Sequence, residues 1–228
     1  MQYPKYKEQT PSNVMKNRVF IVAGGPSVND IDLNLLTNEN TIVINNGIFY
    51  VPNPTHFITM DYSFLSKIDL DRFDKIPCNS KIFVANTYPD YIEKKDGKYI
   101  DKRTNMCYTL NRFNGIIESN TYRYFKFDEM GFSSGKNSGF CALQFALQLR
   151  YKEIYLLGYD YKINNKSHFH GGYGEERRKF EIKLQEYFNY IREAIENYKG
   201  ESKIFSCSKT SKLNCILEYK KLEKVING

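Results

Sequence analysis

Arg18-Val19-Phe20-Ile21-Val22-Ala23-Gly24-Gly25-Pro26-Ser27 is the stretch that decides the fold. An apolar run that stops abruptly on Gly-Gly-Pro-Ser suits a strand buried on both faces and entering a tight turn, as in a parallel sheet. Beyond it, Ile31, Leu35 and Leu36 fall at helical spacing, and Thr41-Ile42-Val43-Ile44 reads as a second buried strand that stops on two amides, Asn45 and Asn46. Strand, helix and strand in this order make a βαβ unit. His56-Phe57-Ile58-Thr59-Met60 and Lys81-Ile82-Phe83-Val84-Ala85 extend the pattern, followed by Asp61 and Asn86. Polar residues therefore recur just after strand ends, where open α/β sheets place their ligands.

Further along, residues 88–131 mix aromatic and charged side chains without sustained period, and Asp96-Gly97 is a hairpin-turn dipeptide, so this stretch reads as an insertion or lid. Regularity then returns. Ser138 to Leu149 places small and apolar residues at helical spacing, and Glu153-Ile154-Tyr155-Leu156-Leu157-Gly158 is another buried strand. Glu175 to Tyr198 carries Phe180, Leu184, Tyr187, Phe188, Ile191 and Ile195 on one side and charged residues on the other, which predicts an amphipathic surface helix. Lys203-Ile204-Phe205-Ser206 reads as the last strand and Lys212 to Val225 as a closing basic helix. The expectation is one α/β domain spanning 1–228, a mostly parallel sheet flanked by helices, with lid segments at about 88–131 and 160–176.

Composition narrows the partners more than the chemistry. The 228 residues include 33 Lys and Arg against 26 Asp and Glu, a formal net charge of +7 that favours anionic ligands. A hydrophobic fraction of 41% with 15% aromatics argues for a packed core, and no run reaches the roughly 18 apolar residues of a spanning helix. Met1 to Lys16 is polar, without an apolar leader core, so the cytoplasm is the expected compartment. Cys78, Cys107, Cys141, Cys207 and Cys215 show no zinc-ligand spacing and are expected to be reduced, mostly buried thiols.

Three clusters carry candidate chemistry. The Gly24-Gly25-Pro26-Ser27 turn precedes a predicted helix, so its backbone could approach an anion closely; the alternative is a plain tight turn. It lacks G-x-G-x-x-G, and amides stand where a nicotinamide enzyme carries a ribose-binding acid, which disfavours NAD. Asn45 and Asn46 either hold a sugar or cap a strand. The second cluster, Gly131 to Gly139, fails the P-loop spacing, leaving the Asn137-Ser138-Gly139 helix start, aided by Lys136, as an anion site or as ordinary capping. The third runs from Gly158-Tyr159-Asp160-Tyr161-Lys162 into a loop with His168, His170 and Tyr173, where an imidazole would suit a general base; a surface loop is the alternative.

Taken together, Val22-Ala23-Gly24-Gly25-Pro26-Ser27, Asn45-Asn46, Asn137-Ser138-Gly139, Tyr151 to Asp160, and Ser167-His168-Phe169 resemble the bacterial sialyltransferases of glycosyltransferase family 42, in the same order over most of the chain. The resemblance implies a Rossmann-like nucleotide-sugar-binding domain with a small lid, self-association, and inverting transfer of a sugar from a CMP-linked donor to a glycan or other hydroxyl acceptor. It further implies that Gly24, Gly25 and Asn46 contact the donor; Pro26, Ser27, Asn45, Asp61, Asn137 and Asp160 are read from their places in the three clusters and at the strand ends as further donor-binding candidates. Ser138 and Gly139 then bind from the second helix start, His168 is the base, and no metal or cofactor is required. Lys162 stands where the family carries a phosphate-binding tyrosine, with Tyr161 adjacent and Tyr173 as the remaining candidate.

A related group that includes archaeal 6-hydroxymethylpterin diphosphokinases and flagellin-modifying accessory proteins shares the Gly-Pro-Ser turn and the late Gly-x-Asp block. On that reading ATP would donate diphosphate with Mg²⁺ held at Asp61 and Asp160. A third reading, a non-catalytic nucleotide- or nucleic-acid-binding protein with a nucleic-acid acceptor or ligand, rests on the basic surface alone.

Overall fold

The computed structural model describes residues 16–65, 67–86, 92–95, 98–101, 106–108, 113, 115–121, 124–125, 132–163 and 177–228. In chain order it holds β1 (Lys16–Val22), β2 (Thr41–Ile44), β3 (His56–Thr59), α1 (Tyr62–Leu65), α2 (Leu70–Lys75) and β4 (Ser80–Asn86). There follow β5 (Ile92–Lys95), β6 (Lys98–Asp101), β7 (Met106–Tyr108), β8 (Gly115–Thr121), β9 (Phe132–Ser133), α3 (Ser138–Gln148), β10 (Tyr151–Leu157), α4 (Arg177–Glu196), β11 (Lys203–Ser206) and α5 (Leu222–Asn227).

Eight strands form one sheet in the order β11-β10-β1-β2-β3-β4-β8-β9, and every pairing in it is parallel. Strand alternation splits the core in two. Val19, Ile21 and Ala23 of β1 and its turn, Ile42 and Ile44, Ile58, Ile82 and Val84, and Ile154 and Leu156 face α3 and α4, which contribute Phe140, Phe145, Phe188 and Ile191. Phe20, Val22, Val43, Phe57, Phe83, Tyr155 and Leu157 face the other way, against Val28, Leu36, Ile48, Phe73 and Leu222. Because both faces are covered, the central strands carry apolar residues facing both ways, which is why they stood out as apolar runs. Among the described residues, no helix is long and apolar enough to cross a membrane.

Three expectations need correction. The crossover after β1 contains two 3₁₀ helices, Pro26–Asp30 and Leu33–Leu36, instead of one α-helix. Asp32 accepts the Asn34 N–H at 3.0 Å and starts the second of them, a local bond that competes with α-helix formation. The stretch 88–131 is not wholly an insertion: β8 lies inside it and joins the main sheet beside β4, while β5, β6 and β7 make a separate antiparallel sheet whose Lys95↔Lys98 pair brackets the expected hairpin turn. The closing helix is broken. Lys212–Cys215 is 3₁₀ and α5 begins only at Leu222, because Ser206 accepts the Lys220 N–H at 2.8 Å and donates its own N–H to Glu218 O, pinning the chain between them against β11.

Candidate functional site

At the carboxyl end of the sheet two junctions bring together most of the residues singled out above. In the first, β1, β10 and β11 meet. Gly25 N–H donates to Gly158 O at 2.9 Å and Ala23 N–H to Leu157 O at 2.9 Å, carrying the β1–β10 ladder into the turn. Asp160, 2% exposed, accepts the Ser27 N–H on Oδ2 at 2.8 Å and the Ser27 hydroxyl on Oδ1 at 2.5 Å. Ser208 Oγ lies 2.7 Å from Ser27 Oγ and accepts the Gly158 N–H at 3.0 Å. Each hydroxyl has one proton, so the order is fixed: Gly158 N–H to Ser208, Ser208 to Ser27, Ser27 to Asp160. A buried carboxylate is tolerated only when hydrogen-bonded, and here two donors from one residue meet it.

This geometry revises two sequence readings. Asp160 and Ser27, taken as donor contacts, have their polar atoms on each other, so Asp160 fastens the turn from behind. Gly25 has φ −66°, a value open to any residue. Its missing side chain is explained by packing, because a Cβ there would fall on Gly158 O and 2.7 Å from Asp160 Oδ2. Gly158 does need its glycine for conformation, at φ +72°.

The second junction joins β2, β3 and α3. Asn45 takes a left-handed φ of +49° immediately after β2, and its Oδ1 accepts the Thr59 hydroxyl at 2.6 Å. Thr59 Oγ1 in turn accepts the Asp61 N–H at 3.0 Å, and Asp61 Oδ1 accepts the Phe64 N–H at 3.2 Å, starting α1. Ser138 Oγ accepts the Met60 N–H at 3.0 Å, tying the first turn of α3 to the end of β3. Asn137 caps α3 by accepting the Phe140 N–H at 2.9 Å and donates to Gly135 O at 2.8 Å. Gly139 O accepts the Tyr159 hydroxyl at 2.9 Å, which links the two junctions. Gly24, Pro26 and Asn46 lie half-buried at the same edge.

Around this edge the cationic and phenolic candidates divide. Lys136, expected to face an anionic ligand, ion-pairs instead with Glu186 of α4 at 2.8 Å. Tyr161, one of the three candidates with Lys162 and Tyr173 for the departing phosphate, is 8% exposed with its ring between Tyr159 and Phe188, and burial raises the pKa of its hydroxyl, holding it as the neutral phenol. Lys162 is half-buried beside it. His168, His170 and Tyr173 lie outside the described residues. Among the described residues, no group of three or more His, Cys, Asp and Glu side chains is gathered closely enough to hold a metal ion. Cys78, Cys141, Cys207 and Cys215 are free thiols, Cys141 and Cys207 buried, Cys78 half-buried and Cys215 exposed.

Ser208 and Thr59 were not singled out in the sequence. Both follow the rule that found the others, a small polar residue at the carboxyl end of a strand. The arrangement is an amide- and hydroxyl-rich rim, with Asp61 and Lys162 as its charged neighbours, fed by the backbone N–H groups at the start of the 11-residue helix α3 and suited to a polar ligand.

No protein-family model matches the chain, and no curated protein matches it. Among solved structures it is similar to the sialyltransferase CstII from Campylobacter jejuni in complex with cytidine-5'-monophosphate, described as a substrate analogue, at 20% identity and a TM-score of 0.42 over 92% of this chain and 87% of that one. It is also similar to an asparagine-to-alanine variant of the sialyltransferase CST-II in complex with CMP, at 19% identity and a TM-score of 0.47 over 89% of this chain and 86% of that one.

Proposed function

We propose that this chain is a glycosyltransferase of the sialyltransferase type that takes a sugar from a CMP-linked nucleotide donor and places it on an acceptor hydroxyl with inversion. One observation carries the reading. The positions that the motif resemblance assigns to the donor, Gly24, Gly25, Asn46, Ser138 and Gly139, come from three distant segments and lie together at the carboxyl ends of β1 and β2 and the start of α3, with Ser138 bonded to the end of β3. That is where a doubly wound sheet exposes backbone N–H groups to a phosphate.

In this mechanism the acceptor oxygen attacks the anomeric carbon while His168 takes its proton, and the bond from that carbon to the phosphate oxygen breaks, releasing CMP. Lys162, a cation beside the carboxyl end of β10, balances the charge that develops on the departing phosphate, and the reaction needs no metal. Tyr173 is the phenol left for that role, since Tyr161 is enclosed in the core.

The test is a donor screen. Calorimetry and transfer assays with CMP-, UDP- and GDP-sugars are expected to show binding and turnover with a CMP-sugar. If none binds or turns over while ATP and a hydroxymethylpterin are consumed, the proposal is replaced by diphosphate transfer. With an active donor in hand, His168→Ala is expected to slow transfer by about 10²–10⁴ and leave CMP affinity nearly intact, with His170→Ala as the control. Loss of transfer in His170→Ala alone would move the base by two residues.

A further inference from the structure

We infer that Ser208, at the carboxyl end of β11, is a positioning residue for the nucleotide turn; the inference rests on the reading of Gly24 and Gly25 as donor contacts. Ser208 is 1% exposed and lies beyond reach of any ligand at the rim. Its hydroxyl nevertheless touches both of the other segments that meet there: it accepts the Gly158 N–H and donates to Ser27 Oγ. Ser27 is thereby left with its own proton for Asp160, and both bonds of Ser27 to that carboxylate are kept.

Ser208 is itself held from several sides. Its carbonyl accepts the Asn214 side-chain amide at 3.1 Å and the Ser211 N–H at 3.0 Å, and the preceding Cys207 N–H donates to Leu156 O at 2.8 Å. Ser211 Oγ donates to Tyr159 O, and Lys212 N–H donates to Asp160 O at 3.1 Å. The segment 206–214 is thus a buttress behind β10, and Ser208 is the point where it reaches through to the turn after β1. Removing the hydroxyl leaves the buried Gly158 N–H without this acceptor and Ser27 Oγ held by Asp160 alone, so the Gly24-Gly25-Pro26-Ser27 turn loses one of its fixings without losing any group that touches the ligand.

The experiment titrates CMP into wild type, Ser208→Ala, Ser27→Ala, the double variant and Ile191→Val, a core change in α4 away from the turn, and follows amide exchange at Gly158 and Ser27. Each serine variant is expected to weaken CMP binding about tenfold, the double variant no more than the worse single one, because the two hydroxyls act in one chain. Ile191→Val is expected to lower the melting temperature with CMP affinity unchanged. Faster exchange of the Gly158 and Ser27 amides in Ser208→Ala supports the inference. Wild-type CMP affinity in Ser208→Ala, or effects that multiply in the double variant, would overturn it. If wild type binds no CMP, the donor reading fails, and the exchange arm still decides whether Ser208 holds the turn: unchanged protection overturns it. Should Ser208→Ala not fold, Ser208→Cys, whose thiol is a weak partner in the same volume, is read by the same criteria.

Discussion

Gly25→Ala separates a glycine required by a ligand from one required by packing. The added methyl would sit on Gly158 O, 2.7 Å from Asp160 Oδ2 and 2.8 Å from Asp160 Cγ, and two of these obstacles are a carbonyl in a ladder and a carboxylate with both oxygens engaged. Neither can swing aside as a flexible side chain would. Relief requires the turn after β1 to move off β10, which also stretches the Gly25 N–H bond to Gly158 O. Overpacking of this kind costs about 1–3 kcal/mol and a lost backbone bond about 0.5–1.5 kcal/mol, giving about 2–4 kcal/mol together. For a chain of this size that is a fall in melting temperature of about 4–16 °C, measured by calorimetry or circular dichroism without any nucleotide present. Gly47→Ala is the control, since its Cβ would meet Val22 O at 3.4 Å and Val43 Cβ at 3.6 Å, ordinary contact distances, and it should melt close to wild type. A Gly25→Ala protein that melts with wild type but binds CMP poorly would refute the packing argument and return Gly25 to the ligand.

Three further outcomes follow from the same contacts. Asp160→Asn puts an amide N–H₂ against the Ser27 N–H or hydroxyl, two donors facing each other, and should cost about 2–3 kcal/mol in urea unfolding; a neutral result would mean that the buried carboxylate is not the acceptor described. Asn137→Ala removes the cap of α3 and should cost about 1 kcal/mol, read as a melting shift of about 2–4 °C. Burial pushes the Cys207 thiol up to about 12 from an ordinary value near 9.0. The unfolded chain therefore loses that proton first, stability is full below about pH 9 and declines toward pH 12 by about 1.4 kcal/mol per pH unit for this thiol, and Cys207→Ala should flatten that part of the pH–stability curve.

How far the fold was legible depended on whether burial or pairing fixed each strand. Strands β1, β2, β3, β4 and β10 are covered on both faces, so each wrote an apolar run into the sequence. Gly115-Ile116-Ile117-Glu118-Ser119-Asn120-Thr121 has only one apolar pair, yet it is β8, because β4 offers it a parallel partner from Ile82 to Asn86. Pairing with a distant strand leaves no periodic trace. The opposite error arose at Ile31, Leu35 and Leu36, whose spacing fits an α-helix. The side chains that decide there are Asp32, which bonds Asn34 N–H and Nδ2, and Thr37, whose hydroxyl donates to Asn34 O.

At the site, position was readable and orientation was not. A small polar residue after a buried strand belongs to the carboxyl edge of the sheet, and Asn45, Asp61 and Asp160 are there, as is Ser138, which the Gly- and Ser-rich helix start pointed to. What each faces depends on partners far away in sequence: Ser27 meets Asp160 across 133 residues and Ser138 meets Met60 across 78. A ligand phosphate and a neighbouring strand end ask for the same groups, a free N–H or a hydroxyl, so one-dimensional reading assigns both to the ligand. The side chains of Ser27, Asn45, Asn137, Ser138 and Asp160 are engaged in bonds of the frame. Changes in the frame are then expected to move stability and nucleotide affinity together, because they shift the turn that presents the backbone; a frame variant that lowers the melting temperature and leaves CMP affinity at the wild-type value would refute that coupling.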